Sequence, residues 1–355
     1  MKQRILIVNS GGDCPGMNAV IRAIVKRANQ ESNWEVIGSI NGFDGIISTP
    51  LEIVSLKEKQ VDGIHLEGGT ILTTNSNRNP FSYPVKQEDG SIRNEDLTDK
   101  LIYNLKVHNF DAVIHIGGNE SQKTSLKLAQ KGVNIVGVPK TINNDISVTD
   151  YSFGFQTAVQ IATEAVDRLV TTANSHNRVL ILEVMGSNAG WIALNASIGG
   201  GADVCLIPEI PFKIEEVIKK LKSRYSEDGR GFANIVVAEG ATLIDDDGTI
   251  IKENIAQKIA IKLKEINFPA DIRETILGHL QRGGVPVAFD RILATELGVK
   301  AFELVLEKKF GTMAIHKNSE LKYINLEEVI NKYNKVELTH NLIHTAKGIG
   351  INFGD

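Results

Sequence analysis

The sequence predicts an α/β protein built on mainly parallel sheets, and three observations carry that reading. Short runs rich in β-branched residues alternate with helical patterns. The runs are continuously apolar, as a strand buried on both faces requires, and do not alternate apolar with polar. Several of them end in a glycine- or proline-bearing turn, most often with a helix beyond it. At 355 residues the chain is long enough for a large core, and the length favours two domains, with interleaving allowed.

In chain order, Arg4-Ile5-Leu6-Ile7-Val8 within the run 1–10 reads as the first buried strand. The turn Ser10-Gly11-Gly12-Asp13-Cys14-Pro15-Gly16 follows, then a helix from Met17 to Ala28 with Ala19, Ile21, Ala23, Ile24 and Val25 among its apolar positions. The pattern recurs at Ala112-Val113-Ile114-His115-Ile116, which leads through Gly117-Gly118 into a helix near Ser121 to Gln130. Asn134 to Val138 is a further strand. Val179 to Val184 leads through Met185-Gly186 to a helix around Gly190 to Ala196. Val204 to Ile207 stops at Pro208, and Ile235 to Ala238 stops at Glu239-Gly240. Asp89-Gly90 and the stretch 245–248 read as exposed loop tips. Ligands of open α/β sheets sit beyond the carboxyl ends of strands, and the unusual residues Gly11, Asn119, Lys140, Met185 and Glu239 follow strands in this way.

Composition narrows the function. Hydrophobic residues at 42%, charged residues at 23% and a formal net charge of -4 describe an ordinary soluble chain. They give no global pull toward nucleic acid or an anionic membrane. No apolar stretch approaches the ~20 residues that span a bilayer. Two cysteines, Cys14 and Cys205, make no disulfide framework and no metal-ligand spacing, so a cytoplasmic location is expected. Cys14, Trp34 and Trp191 read as packing residues, and His115 as a core histidine.

The first turn is not a Walker A loop, because no Gly-Lys-Ser/Thr follows, and it is not a Gly-x-Gly-x-x-Gly fingerprint. Its glycine N–H groups and the helix N-terminus behind it still suit a phosphate. The arginines add to this. Arg22, Arg78, Arg168, Arg178, Arg273, Arg282 and Arg291 are spread along the chain, and guanidinium groups grip phosphate in a planar, bidentate way. Arg273 and Arg282 flank Gly278-His279, and Gly278 to Pro286 devotes glycines and a proline to a fixed loop carrying His and Arg.

Taken together these segments resemble the phosphofructokinase family, ATP- and pyrophosphate-dependent members alike. The motifs are Gly11 to Asn18, Pro139-Lys140-Thr141-Ile142-Asn143-Asn144-Asp145, Ser175 to Arg178, Glu183 to Gly186, Ala238 to Gly240 and Leu277 to Gly284. The resemblance spans nearly the whole chain. It implies two Rossmann-like three-layer α/β domains with the active site in the cleft between them. Residues 1–154 plus 282–308 would form the phosphoryl-donor domain, and 155–281 plus 309–355 the fructose 6-phosphate domain. It also implies a homodimer or homotetramer, cytoplasmic glycolysis, and no nucleic-acid or membrane partner.

Carried over position by position, Gly11, Lys140, Thr141 and Asp145 stand beside the transferred phosphoryl group. Met185, Gly186, Glu239, His279 and Arg282 match the grip on the sugar and its 6-phosphate. Arg178 and Arg273 match arginines lent across a subunit interface. Gly11, Thr73, Arg78, Gly118, Asn119, Glu120 and Ser121 match the donor side.

The donor side departs from the pattern. The family's Gly-Gly-Asp holds magnesium through its Asp, and Asn119 stands there, followed by Glu120. The family's Thr-Ile-Asp-Asn-Asp uses its first Asp as general base, and that position is Asn143. The loop Gly68-Gly69-Thr70-Ile71-Leu72 continues with Thr73 where glycine is expected, and Arg78 is displaced. Asn takes no proton and is a weaker magnesium ligand than Asp. Glu120 is expected to bring bulk and negative charge to the space of a nucleoside α-phosphate, and Lys140 suits a compact phosphate.

Three readings follow. One is a sugar-phosphate-binding protein with weak or no kinase activity, a pseudoenzyme that assembles with itself or with an active paralogue. Another is a working phosphotransferase that prefers pyrophosphate to ATP and uses Glu120 and Asp145. The last is a phosphotransferase with a shifted substrate. A single Asn is compatible with an engineered substrate trap, whereas three altered segments point to natural divergence.

Overall fold

The computed structural model describes residues 2–225, 231–245, 247–330 and 332–355. Position 1 of the expected first strand run and position 246 of the expected 245–248 loop tip lie outside the described residues. The chain divides into two compact units: Met1–Ile142, Ile146–Gly154 and Arg282–Lys332 form the first, and Asn143–Asp145, Phe155–Gln281 and Tyr333–Asp355 the second.

The first unit is built on a seven-stranded sheet. Its parallel centre runs Thr312–Lys317, Ile135–Pro139, Ala112–Gly117, Gln3–Asn9, Trp34–Ser39 in spatial order. The short strand Ile53–Ser55 and the strand Glu320–Asn325 add antiparallel edges. Ala112–Gly117 and Ile135–Pro139 are buried at every position, which explains their unbroken apolar sequence. Leu6, Val8, Val113 and Ile135 pack with Leu101, Leu105 and Leu128 from the helices Thr98–Val107 and Asn119–Gln130. The helices Met17–Ala28 and Ala288–Leu306 pack against each other in the same unit. Each fully buried aliphatic side chain contributes about 1.5–3 kcal/mol.

The second unit carries an all-parallel four-stranded sheet in the order Ile272–Ile276, Val179–Val184, Ala233–Ala238, Val204–Leu206. Its core joins Val179, Ile181, Ile235 and Val237 to Val217 and Leu221 of the helix Ile214–Lys222 and to Ile259 and Leu263 of the helix Ile255–Glu265. All-parallel sheets need helical cover on both faces; Val179–Val184, Ala233–Ala238 and Val204–Leu206 are buried accordingly, whereas the edge strand Ile272–Ile276 is exposed beyond its first residue.

The expected strands and helices are present with small shifts. The helix expected near Ser121 starts at Asn119, and the one expected around Gly190 runs Trp191–Gly200. Asp89-Gly90 does sit at a turn, between the paired strands Tyr83–Lys86 and Ile92–Glu95. Two segments group otherwise than expected: Asn143–Asp145, which fall in the second unit, and 309–332. Residues 309–332 group with the first unit, because Thr312–Lys317 pairs with Ile135–Pro139 and extends that sheet. Long helices such as Phe155–His176 carry no glycine or proline punctuation and were not singled out in the sequence.

Candidate functional site

In the first unit the turn after Gln3–Asn9 is the organising feature. Gly11 has φ +80°, and a Cβ there would stand 3.2 Å from Lys140 Nζ and 3.7 Å from Ser121 Oγ. Turn, helix start and lysine thus converge, and only glycine leaves room between them. Lys140 is 4% exposed, and its ammonium donates to the Gly12 carbonyl. A buried ammonium requires such a partner. Arg282 lies over the same turn: its Nη1 donates to the Asp13 carbonyl at 3.3 Å, and a Cβ on Gly12 would come within 2.6 Å of it.

The loop from Thr70 to Arg78 is docked onto this turn. The Gly11 N–H donates to the Asn75 carbonyl at 3.1 Å, and Thr74 Oγ1 donates to the Gly11 carbonyl at 2.8 Å. Asn9 Nδ2 donates to Thr70 Oγ1 at 2.6 Å, and the Ile71 N–H donates to Asn18 Oδ1 at 2.9 Å. Thr73, standing where glycine is expected, has φ +54°. The left-handed backbone of a glycine is therefore kept by a β-branched residue, at a cost of about 1–2 kcal/mol. Its Oγ1 offsets part of that by accepting the Asn41 N–H at 2.9 Å and donating to the Leu72 carbonyl at 2.6 Å.

Arg78 is already engaged. It pairs with Asp44 at 3.5 Å, donates to the Pro84 carbonyl at 3.2 Å, and lies 5.1 Å from the centre of the Tyr83 ring. Burial pushes the Asp44 carboxyl above its ordinary value, and burial together with Asp44 pushes the Tyr83 hydroxyl to about 12.

Asn119 opens the helix Asn119–Gln130, beside the glycine pair Gly117-Gly118. A Cβ on Gly117 would overlap Ser121, so that glycine permits the close approach of the helix start. Glu120 lies along the helix. Its side chain is 75% exposed and pairs with Lys123 at 2.7 Å, one helical turn on. A pocket of about 100 Å³ is lined by Gly11, Phe43, Asn75, Arg78, Glu120 itself and Ser121 among others.

The family's magnesium finds a poor fit in these residues. Position 119 offers a neutral amide, and the neighbouring carboxylate of Glu120 is turned into an ion pair. Among the described residues no group of three or more His, Cys, Asp or Glu stands together to hold a metal ion.

Thr141, still in the first unit, has its carbonyl held by Ser152 Oγ at 2.8 Å. The next three residues, Asn143 to Asp145, belong to the second unit. There Asn144 takes a left-handed φ of +50°. Asn334 bonds both following carbonyls, Asn144 O from its side-chain amide at 2.8 Å and Asp145 O from its backbone N–H at 3.0 Å.

Also in the second unit, Met185, Gly186 and Glu239 come together beyond adjacent strand ends. The Gly186 N–H donates to Glu239 Oε1 at 3.3 Å, and the Met185 N–H to Gln281 Oε1 at 3.2 Å. Burial, with the Glu239 charge adding to it, raises the Glu183 carboxyl above its ordinary value. His279 is exposed on the short 3-10 segment Gly278–Arg282. Arg178 and Arg273 meet through Asp271, at 2.8 and 3.1 Å. They lie by the edge strand Ile272–Ile276, and Arg273 is 61% exposed. Asp271, Asn334, Asn9 and Asn18 were assigned no role from the sequence. Each acts through a backbone carbonyl, an N–H or a shared ion pair, and such roles leave no spacing to find.

Cys14 and Cys205 are buried thiols. Burial raises Cys14 far above its ordinary value, with Lys140 opposing. His115 is fully buried, shares a 2.7 Å hydrogen bond with Ser125 Oγ, and is pushed down to about 3 by burial and by the Lys140 charge. Trp191 is 8% exposed. Among the described residues no helix is long and apolar enough to cross a membrane.

Comparison with known proteins gives one answer. A family model described as Phosphofructokinase matches residues 4–305. A Clostridium perfringens protein named ATP-dependent 6-phosphofructokinase 2 is 46% identical over 364 residues, covering 99% of both chains. A Bacteroides thetaiotaomicron protein named ATP-dependent 6-phosphofructokinase 3 is 44% identical, covering 99% of this chain and 100% of that one. The crystal structure of Pichia pastoris phosphofructokinase in the T-state superposes with TM-score 0.78 at 30% identity, over 98% of this chain and 36% of that much longer one. The pyrophosphate-dependent phosphofructokinase of Marinobacter aquaeolei gives TM-score 0.82 over 99% of this chain and 88% of its own, and at 23% identity this likeness shows the fold.

Proposed function

The chain belongs to the phosphofructokinase family, and from that premise we propose that it binds fructose 6-phosphate and transfers a phosphoryl group to the sugar's 1-hydroxyl weakly or not at all. The observation that carries this reading is the amide at position 143, on a turn otherwise kept in family form. A positioned base contributes ~10²–10⁴-fold, and Asn143 supplies none. Asn119 compounds the loss on the donor side, since phosphoryl transfer depends on positioning and charge neutralisation.

On this reading Met185, Gly186, Glu239, His279 and Arg282 bind the sugar phosphate. Gly11, Lys140, Thr141 and Asp145 attend the transferred group. The donor is ATP. Two observations support that choice over the pyrophosphate expected from the sequence: the relatives are named ATP-dependent, and Glu120 is paired with Lys123, leaving the pocket beside Gly11 and Phe43 open. A second reading, pyrophosphate as donor, is favoured by the buried ammonium of Lys140 beside Gly11.

Arg178 and Arg273 serve a neighbouring subunit of a cytoplasmic homo-oligomer. Support comes from their place by an exposed sheet edge, next to Ile276, which is 64% exposed. The same arginines would let the chain complete the site of an active paralogue. A coupled assay of the purified protein with fructose 6-phosphate and each donor tests the reading. Turnover on the order of 10 per second, the middle of the ordinary enzyme range, would refute it. Absence of any thermal shift with millimolar fructose 6-phosphate would remove the sugar-binding half.

A further inference from the structure

Asn334 lies almost 190 residues from the turn it holds, on a segment to which no motif draws attention. Its side-chain Nδ2 donates to the Asn144 carbonyl at 2.8 Å, and its backbone N–H donates to the Asp145 carbonyl at 3.0 Å. Asn144 is left-handed at φ +50° and 4% exposed. A non-glycine residue persists there only when its surroundings over-determine it. Asn334 is itself fixed. Trp191 Nε1 donates to its carbonyl at 2.8 Å, and two residues on the Val336 N–H donates to Glu209 Oε1 at 2.8 Å. Glu209 also accepts the Gly190 N–H, at 3.1 Å to each oxygen. The segment Tyr333 to Val336 is therefore clamped to the start of the helix Trp191–Gly200 and presents a donor pair to the turn.

We propose that Asn334 is a positioning residue, which holds the left-handed turn at Asn144 and so sets how Asn143 and Asp145 on either side of it are presented. The proposal rests on the reading above, in which those two flanking residues stand at the reaction centre. The chemistry requires a donor at 334. Aspartate of the same size would face a carbonyl with a carboxylate, and alanine would leave the Asn144 carbonyl without this bond.

The test uses Asn334→Ala and Asn334→Asp, with the exposed neighbour Lys335→Ala as control. Each is made in the full-length chain and in the Asn119→Asp/Asn143→Asp background. Trp191→Phe removes the indole donor to the Asn334 carbonyl while leaving the Asn334 side chain and the turn residues unchanged, and covers the case in which the Asn334 variants fail to fold. Two readouts are taken: kcat and KM for fructose 6-phosphate, and amide exchange at position 334, whose N–H is bonded to the Asp145 carbonyl.

We expect exchange at 334 to quicken about tenfold in both Asn334 variants, the scale of one net hydrogen bond. We expect kcat to fall about tenfold with KM within about threefold, a split that marks a group acting in the transition state. Trp191→Phe should move both in the same direction and by less, and Lys335→Ala should move neither. Unchanged exchange at 334 overturns the proposal, as does faster exchange with kcat intact in an active background. If no background turns over, the loss of turnover lies elsewhere than at Asn119 and Asn143, and the exchange at 334 alone decides whether Asn334 holds the turn.

Discussion

The donor-side loops of the first unit and the sugar-side strand ends of the second have been treated differently. On the donor side the charged groups have partners within the unit: Lys140 with the Gly12 carbonyl, Arg282 with the Asp13 carbonyl, Arg78 with Asp44 and Pro84, and Glu120 with Lys123. On the proposed reading the residue identities differ from the family's here, while Thr73 holds the left-handed φ +54° that glycine adopts without strain. In the second unit, read here as the sugar side, Arg178 and Arg273 are gathered by one carboxylate, Asp271. The contrast teaches that a loop can keep the shape of a phosphate site after the groups that make it reactive have changed. Shape and chemistry are then separable by mutation.

The double change Asn119→Asp/Asn143→Asp should separate them most. If shape has been kept, restoring both carboxylates should raise turnover by at least ~10²-fold with ATP or pyrophosphate. The single changes should do less, because base and metal serve one transition state. Fructose 6-phosphate affinity should stay the same. A double variant no faster than the parent would place the lesion in the loop from Thr73 to Arg78 and break the comparison. On the conserved side, Arg273→Ala should weaken fructose 6-phosphate binding by roughly tenfold, the lower end for a lost hydrogen bond to a charged group. Calorimetry on the oligomer reads this directly. No change would mean that the sugar side has also lost its function while keeping its residues.

Much of this was legible in the sequence, and the reasons are local. Largely apolar runs such as Ala112 to Ile116 and Val179 to Val184, interrupted only by His115 and Glu183, fit doubly buried strands, and the glycine turns that follow them point to where ligands go. The amides at Asn119 and Asn143 stood out because one atom separates them from the acids expected there. What could not be read was direction. Sequence gave Glu120 a size and a charge but not the rotamer that turns it along the helix to Lys123. It placed Arg282 by its motif but not the direction of its guanidinium, which lies over Gly12. Asn334 was invisible for another reason: a side chain that donates to a backbone carbonyl leaves no mark on the identity of the residue it holds and no fixed spacing.

The first unit also carries an acid-sensitive point at a buried histidine. His115 is fully buried and pushed down to about 3, chiefly by burial and further by Lys140. Its ordinary value in the unfolded chain is about 6.5. Between those two values the unfolded chain binds the extra proton, so stability is complete above about 6.5 and falls as pH drops toward 3. The loss should be on the order of 1 kcal/mol per pH unit below about 6. His115→Gln keeps a partner for Ser125 and removes the titration, so its urea midpoint should be flatter between pH 7 and 5 than the parent's. Parallel acid limbs would show that the site around Lys140 opens before His115 is protonated.

The smallest effect expected concerns Glu120, and it bears on whether donor discrimination has changed along with catalysis. An exposed pair one helical turn apart is worth roughly 0.2–0.5 kcal/mol. Glu120→Ala should therefore leave the unfolding midpoint almost where it was. If the carboxylate faces Lys123 and not the pocket, ATP affinity should change by less than about threefold, since an exposed charge near the site is largely screened at ordinary ionic strength. Repeating the titration at low salt sharpens the point. Only a residual repulsion should emerge there, and Lys123→Ala should enlarge it by releasing the carboxylate. A large gain in ATP affinity for Glu120→Ala at ordinary salt would mean that the side chain swings into the pocket when a nucleotide approaches. The donor side would then have diverged in what it admits as well as in what it can catalyse.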